Sequence, residues 1–247
     1  MELYYPGARQ RLIPPGTNDP PIIPIGIIWH TDAGDSKSLY GYFNGPSGGI
    51  ESHLHFPKVG APEQYRDFGH EADANYHANS FLINGKRYGF ISGETQGLAT
   101  DLWNDHQLSE MKKFMLWARQ NLHVALSKCV GPYSPGVGYH TMWGSPGPWT
   151  PYAKDCPGKH RIEQFGNDLV PWMKSVTSAG GSTGTPPAGG NEMTKADVQM
   201  LLDTVIRADG LTVRQALAGA DFASDQLAEG GKLQGNVREI LAEVKKV

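Results

Sequence analysis

Residues Ile22 to His30 read IIPIGIIWH, a run dominated by isoleucine that ends in a polar side chain. β-Branched apolar residues in an unbroken run of this length predict a strand buried on both faces. A chain that carries such a strand needs a layered core, with other elements covering the sheet. Further strands are predicted at Ser52–Phe56, Glu63–Asp67, Arg87–Thr95 and Leu126–Val130. The clearest helix spans Asn104–Leu122. Asn104 caps it with Gln107 at the third helical position, and Leu108, Met111, Met115, Ala118 and Leu122 form one apolar stripe. Asp35–Phe43 reads as a short helix and Gln164–Lys174 as a closing one. Gly131–Gly158, rich in proline and glycine, reads as irregular. Together these elements predict an α/β fold, a central mixed β-sheet with helices packed on it.

The stretch Ser175–Asn191, SVTSAGGSTGTPPAGGN, carries no charge and no large apolar residue, and reads as a flexible linker. It divides the 247 residues into a main domain, 1–174, and a helical C-terminal module, 192–247. In that module Thr194 and Asp197 form a capping signal, followed by Val198, Leu201, Leu202, Val205 and Ile206 at helical spacing. Asn236 and Glu239 open a last helix with Val237, Ile240, Leu241 and Val244. A module of this size has a marginal core, so its helices are expected to pack on something else. Self-association is one such outcome.

Charge narrows the partners. Lys plus Arg is 22 and Asp plus Glu is 25, a formal net charge of -3 with no basic run. Nucleic-acid affinity depends on clustered cations, so no nucleic-acid partner is expected. No apolar stretch approaches the ~20 residues of a membrane span. The first ten residues lack the charged start and apolar core of a secretory signal. Two cysteines, Cys129 and Cys156, cannot make a disulfide framework.

Most of the nine histidines stand in polar contexts, among them His70, His77, His106, His123 and His160. His53 and His55 form an H-x-H that strand alternation would place on one face, a possible metal pair. Three positions stand apart. His30 ends the buried strand and precedes TDAG. His140 lies in GVGYHTMWG, a loop of glycines and aromatics. Cys156 lies in KDCPGKH, where the following proline restricts its backbone. Two imidazoles and a thiolate suit Zn²⁺ with a fourth position left for water. Packed histidines and a buried thiol are the alternative reading of the same residues.

The segments WHTDAG, GYHTMWG and KDCPG, in this order, resemble the zinc-binding segments of type-2 N-acetylmuramoyl-L-alanine amidases, a family similar to animal peptidoglycan-recognition proteins. The resemblance runs from about Ile22 to Trp172, and GGIESHLHFPKVGAPEQYRD resembles the family's strand, glycine turn and second strand. A catalytic domain, a linker and a small C-terminal module further resemble phage endolysins. The resemblance implies His30, His140 and Cys156 as Zn²⁺ ligands and Lys154 as the transition-state stabiliser. It implies Glu94, in RYGFISGETQG, as the catalytic carboxylate. Some members use a tyrosine where this chain has Ser52, so that role is unfilled and Glu94 is favoured. The segment His70–Lys86 departs from the common pattern. Asn75 and Asn79 within it are candidate substrate contacts.

Tyr139, Trp143, Trp149 and Tyr152 surround the implied site. Their faces suit stacking on sugars or peptide stems; alternatively Trp143 and Trp149 pin a long loop to the core. The implied substrate and partner is bacterial peptidoglycan. The implied reaction cleaves the amide between N-acetylmuramic acid and L-alanine, and the C-terminal module would bind wall or self-associate. Without a signal peptide, such an enzyme would accumulate in the host bacterial cytoplasm and reach the wall after holin-type release. Two other readings are a non-catalytic peptidoglycan-binding protein of the same fold and a cysteine hydrolase with Cys156 as nucleophile and His140 as base.

Overall fold

The structure, a computed structural model, describes residues 3–15, 19–45 and 51–178. Most of the predicted linker and the whole predicted helical module, with any self-association through it, lie outside the described residues. The described part is a mixed α/β fold. Its strands are β1 (Arg9–Gln10), β2 (Ile23–Thr31), β3 (Leu54–Phe56), β4 (Glu63–Gln64), β5 (Phe81–Ile83), β6 (Lys86–Thr95) and β7 (Gly136–Tyr139). The helices are α1 (Tyr40–Phe43), α2 (Asp105–Leu122), α3 (Lys159–Gln164) and α4 (Val170–Ser178), the last two joined by a π-helical turn, Phe165–Leu169.

The sheet order is β1-β4-β3-β6-β2-β7, with β5 antiparallel to the start of β6. The isoleucine-rich run lies near its centre, as β2, parallel to both β6 and β7. β6 also runs parallel to β3, while β3 and β4 are antiparallel. The sheet is therefore mixed.

Side chains alternate across the sheet. On one face Ile27 and Trp29 of β2, Ile91 of β6, Leu54 and Phe56 of β3 and Val137 of β7 meet Met111, Phe114, Met115 and Ala118 of α2. Phe165, Leu169 and Met173 from the closing helices join the same core. The Trp29 ring stands edge-on to Phe56 and Phe114 at 5.2 and 6.4 Å. On the other face Ile28 and Phe90 pack with Ala78, from the 3-10 turn before β5, and with Cys129 and Trp149 from loops. Two residues beyond Ile28 stands His30, and four beyond Phe90 stands Glu94. The same alternation that fills this second face delivers both to its end.

Helix α2 begins as its sequence predicts. The Asn104 side chain accepts from the Gln107 backbone N–H at 2.8 Å, and the Gln107 side chain caps the Asn104 N–H in return. Several predicted bounds contract or move. The helix predicted at Asp35–Phe43 is only α1, and the strand at Glu63–Asp67 is only β4. Leu126–Val130 is not a strand; Lys128 makes a single bridge to Val137. The strand that pairs with β2 is instead β7, within the stretch predicted as irregular. Gly138 admits it, because a Cβ there would stand 2.6 Å from Trp149 Cζ3. The closing helix starts at Lys159 and runs to Ser178, past the predicted boundary at 174. The segment 70–86 contains a 3-10 turn, Asp73–Ala78, and a hairpin of β5 and β6. The hairpin turns through Asn84 and Gly85, both at positive φ (53° and 73°), as a two-residue primed turn requires.

Candidate metal centre

Three parallel strands end side by side. His30 on β2 pairs in register with Glu94 on β6, and Glu94 pairs with His55 on β3. β7 adds the next position: the His140 N–H, just past its last residue, donates to the Trp29 carbonyl at 3.1 Å. His30 and His140 are 2% and 3% exposed, and their ring centroids lie 4.3 Å apart. The long loop after β7 brings Cys156 back to them, with Sγ 3.9 Å from His30 Nδ1.

Two threonines fix that return. The Thr31 N–H points at Cys156 Sγ at 3.3 Å, and Thr141 Oγ1 donates to the Cys156 carbonyl at 2.9 Å. Each threonine directly follows one of the histidines, so the strand ends that place the imidazoles also place the sulfur.

Potential ligand atoms of His30, His140 and Cys156 lie within 4.8 Å of one another, the one such His/Cys/Asp/Glu group among the described residues. Zn–N and Zn–S bonds in a tetrahedral site imply N···S separations of about 3.5 Å. The His30–Cys156 pair at 3.9 Å is near this value, and the group as a whole, within 4.8 Å, would draw in by about an ångström around an ion; the donor types are those that suit zinc.

The tautomer of His30 is also set. Its Nε2 lies 2.8 Å from Asn75 Oδ1, while Asn75 Nδ2 donates to the Phe90 carbonyl at 2.9 Å. That second bond orients the amide, so its oxygen faces His30 and Nε2 carries the hydrogen. Nδ1 then presents a lone pair toward Cys156. Burial, reinforced by the neighbouring His140 and the Lys154 charge, lowers the His30 pKa well below its ordinary value. Burial and Lys154 likewise bring His140 down to about 4. Both imidazoles are therefore neutral at neutral pH, the state that binds a metal. Burial pushes the Cys156 thiol up to about 12, with Glu94 adding to the shift and Lys154 and Arg161 opposing it.

Glu94 Oε1 lies 3.9 Å from His30 Nδ1, and Ser52 Oγ donates to the same oxygen at 3.0 Å. Burial pushes its carboxyl up to about 7; the Ser52 bond opposes this, and the charge of Asp32 adds to it. A carboxyl so placed exchanges protons near neutral pH. The Lys154 backbone is clamped by one hydroxyl: its N–H donates to Ser145 Oγ at 2.6 Å, and that hydroxyl donates to its carbonyl at 2.9 Å.

Behind the strand ends lies Arg161, fully buried. Its guanidinium donates to Thr95 Oγ1 at 3.0 Å and the Gln96 carbonyl at 2.8 Å, and contacts Thr31 Oγ1 at 2.5 Å. It ties α3 to the residues that follow His30 and Glu94.

Other candidates fall elsewhere. Asn75 is fully buried and its amide is committed to His30 and Phe90, so it orients the His30 ring and is not open to a substrate. Asn79 accepts the Asn75 N–H at 2.6 Å. Tyr139 projects to the opposite face, edge-on to Phe165 at 5.4 Å, and is part of the core boundary. Trp149 is fully buried and donates Nε1–H to the Pro132 carbonyl at 2.7 Å, which pins the loop. Trp143 stands edge-on to Trp149 at 6.0 Å, half-buried in the same cluster. Of the four aromatics Tyr152, 72% exposed, is the most open to a ligand. His53 and His55 share a face but not a partner. His53 Nδ1 lies 3.1 Å from Ser92 Oγ, whereas His55 Nε2 faces Asp32 Oδ2 at 3.2 Å. They do not form a metal pair. Asn75, Ser52, Asp32 and Arg161 have roles around the site that spacing did not disclose.

No protein-family model matches the chain, and no curated protein matches it in sequence. Among solved structures it is similar to the N-acetylmuramoyl-L-alanine amidase LysC from Clostridium intestinale URNW, at 11% identity over 69% of this chain and 97% of that one, TM-score 0.42. It is similar to a selenomethionine derivative of AmpD at 16% identity, covering 69% and 99%, TM-score 0.45. It is also similar to PlyL at 19% identity, covering 68% and 96%, TM-score 0.45. No described helix is long and apolar enough to cross a membrane.

Proposed function

We propose that the chain is a zinc-dependent peptidoglycan amidase that cleaves the bond between N-acetylmuramic acid and L-alanine, as an endolysin acting on the wall of a host cell. The observation that carries this reading is the convergence of His30, His140 and Cys156, with Glu94 Oε1 3.9 Å from His30 Nδ1.

An amide is a poor electrophile with a poor leaving group. Zinc held by the two imidazoles and the sulfur supplies Lewis acidity to the carbonyl and lowers the pKa of water from 15.7 toward about 7. Glu94 takes the proton of the attacking water as the oxygen bonds to the carbonyl carbon. It then gives that proton to the departing nitrogen as the C–N bond breaks, leaving a lactyl carboxylate and the free amine of L-alanine. Lys154, whose charge acts on His30, His140, Glu94 and Cys156, holds the developing oxyanion. The C-terminal module would tether the enzyme to its insoluble substrate, and holin-type release from the host cytoplasm would bring the two together.

The second reading, a cysteine hydrolase with Cys156 as nucleophile and His140 as base, predicts loss of activity on thiol alkylation and indifference to chelators. The test is turbidity loss of purified walls, with release of new L-alanine amino groups, before and after chelation and after zinc is restored. Loss of clearing on chelation and recovery with zinc is the expected result. Full activity in metal-free protein overturns the reading, and wall binding without bond cleavage favours a non-catalytic binder.

A further inference from the structure

One position past His30 and Glu94, the two strands carry a pair of threonines. Thr31 on β2 is the register partner of Thr95 on β6, and both side chains rise from the face opposite to His30. Thr31 meets the sulfur side of the site through its N–H, 3.3 Å from Cys156 Sγ. Thr95 meets the imidazole side, its Oγ1 donating to the His30 carbonyl at 2.5 Å. The Thr31 hydroxyl gives its hydrogen to the Gly97 carbonyl at 2.6 Å. Each hydroxyl has thus committed its one hydrogen and can only accept further bonds.

Arg161 meets both. Its Nη1 carries two hydrogens and lies 2.5 Å from Thr31 Oγ1 and 3.0 Å from Thr95 Oγ1, while Nη2 donates to the Gln96 carbonyl at 2.8 Å. Gly97, at φ 130°, leaves room for it: a Cβ there would stand 2.4 Å from Nη2. The arginine is fully buried, its hydrogen bonds go to neutral oxygens, and its Nε has no partner. A buried cation held this way is costly, and apolar packing can anchor a helix without that cost. What the guanidinium does that an apolar side chain cannot is hold two hydroxyls at once. It also follows Cys156 by five residues, so the segment that carries the sulfur carries its own clamp.

We propose that Arg161 is a positioning residue of the metal centre: by holding the paired hydroxyls of Thr31 and Thr95 it fixes the N–H that meets Cys156 Sγ and the carbonyl of His30, and so sets the sulfur against the imidazole. This rests on His30, His140 and Cys156 holding a metal, as the proposed amidase requires.

Cobalt(II) bound to the full chain in place of zinc tests it, because a thiolate ligand gives cobalt a charge-transfer band that reports the metal–sulfur geometry. The band is expected in the parent and absent in Cys156→Ser. Arg161→Met is expected to shift or weaken it and to lower zinc affinity about 10–100-fold in chelator competition, with a native far-ultraviolet spectrum. Arg161→Lys, which keeps a donor, is expected to recover part of both. A folded Arg161→Met with the parental band and affinity overturns the proposal and leaves Arg161 as an anchor of α3. If Arg161→Met does not fold, Thr95→Val decides: losing the hydroxyl that links Arg161 to the His30 carbonyl is expected to weaken zinc binding, and parental affinity overturns the proposal. A parent chain that binds neither metal overturns the metal reading and the inference with it, so the two failures are told apart. None of these readouts depends on wall cleavage.

Discussion

Asn75 Oδ1 lies 2.8 Å from His30 Nε2 in a fully buried setting, with its amide orientation fixed by the Phe90 carbonyl. This contact settles which nitrogen of His30 is free. Groups that orient a metal-bound imidazole typically contribute ~10–100-fold in metal affinity. Asn75→Ala is therefore expected to weaken zinc binding by about that factor while the far-ultraviolet spectrum stays native. Competition with a calibrated chelator measures it; unchanged affinity would show that His30 needs no orienting partner.

In the proposed amidase Glu94 and Lys154 would act on protons and charge rather than on the metal itself. Glu94→Gln keeps the shape and the Ser52 contact but removes the base, so wall cleavage is expected to fall by ~10²–10⁴. Lys154→Met is expected to cost ~10²–10³, the scale of losing one oxyanion-stabilising group. In both variants zinc stoichiometry by elemental analysis should match the parent. A loss of zinc together with activity would instead make these residues part of metal retention.

His53 gives a pH prediction away from the metal ligands. It is fully buried between Ser92 and the His70 carbonyl, and burial lowers its pKa from 6.5 to about 4. Between those values the unfolded chain binds a proton that the folded chain does not, so stability rises with pH across this window. It is fully present above about 6.5 and lost as pH falls toward 4, by up to about 3 kcal/mol for this single group. Urea unfolding at pH 7 and pH 4.5 should show a smaller pH-dependent difference in His53→Asn than in the parent. An equal difference in both would mean that His53 does not carry the linkage.

The parts of the fold written in long periodic segments were legible in the sequence. β2, β6 and α2 show apolar runs or stripes, and Asn104 and Gln107 announce the helix start. The three ligand candidates were visible because each sits at a change of character: a strand end, a glycine–aromatic loop, a Cys-Pro-Gly. β7 was not legible because two of its four residues are glycines, which erase the alternation that marks a strand. The hairpin of β5 and β6 carries a readable Asn-Gly turn signal, but it lies within His70–Lys86, the segment that departs from the family pattern the rest of the domain resembles. Asn75, Ser52 and Asp32 act through single hydrogen bonds across 42 to 45 residues for the first two and 23 for the third. Nothing in local spacing encodes such pairings.

Gly138 connects core packing to the metal centre. A Cβ there would stand 2.6 Å from Trp149 Cζ3, 2.7 Å from Cη2 and 2.9 Å from Met142 Sδ. Trp149 cannot yield freely, because it is fully buried and its Nε1–H is bonded to the Pro132 carbonyl. Gly138→Ala is thus expected to cost about 1–3 kcal/mol through overpacking. Since His140 is two residues further along the same face, the strain should also displace its imidazole and weaken zinc binding. Gly138→Ala combined with Trp149→Phe removes part of the indole and should recover stability and zinc affinity together. Thermal unfolding and chelator competition on the single and double variants check this. Recovery of stability without recovery of zinc affinity would show that the position of His140 is set by β7 and the Trp29 carbonyl alone, independently of the Trp149 cluster.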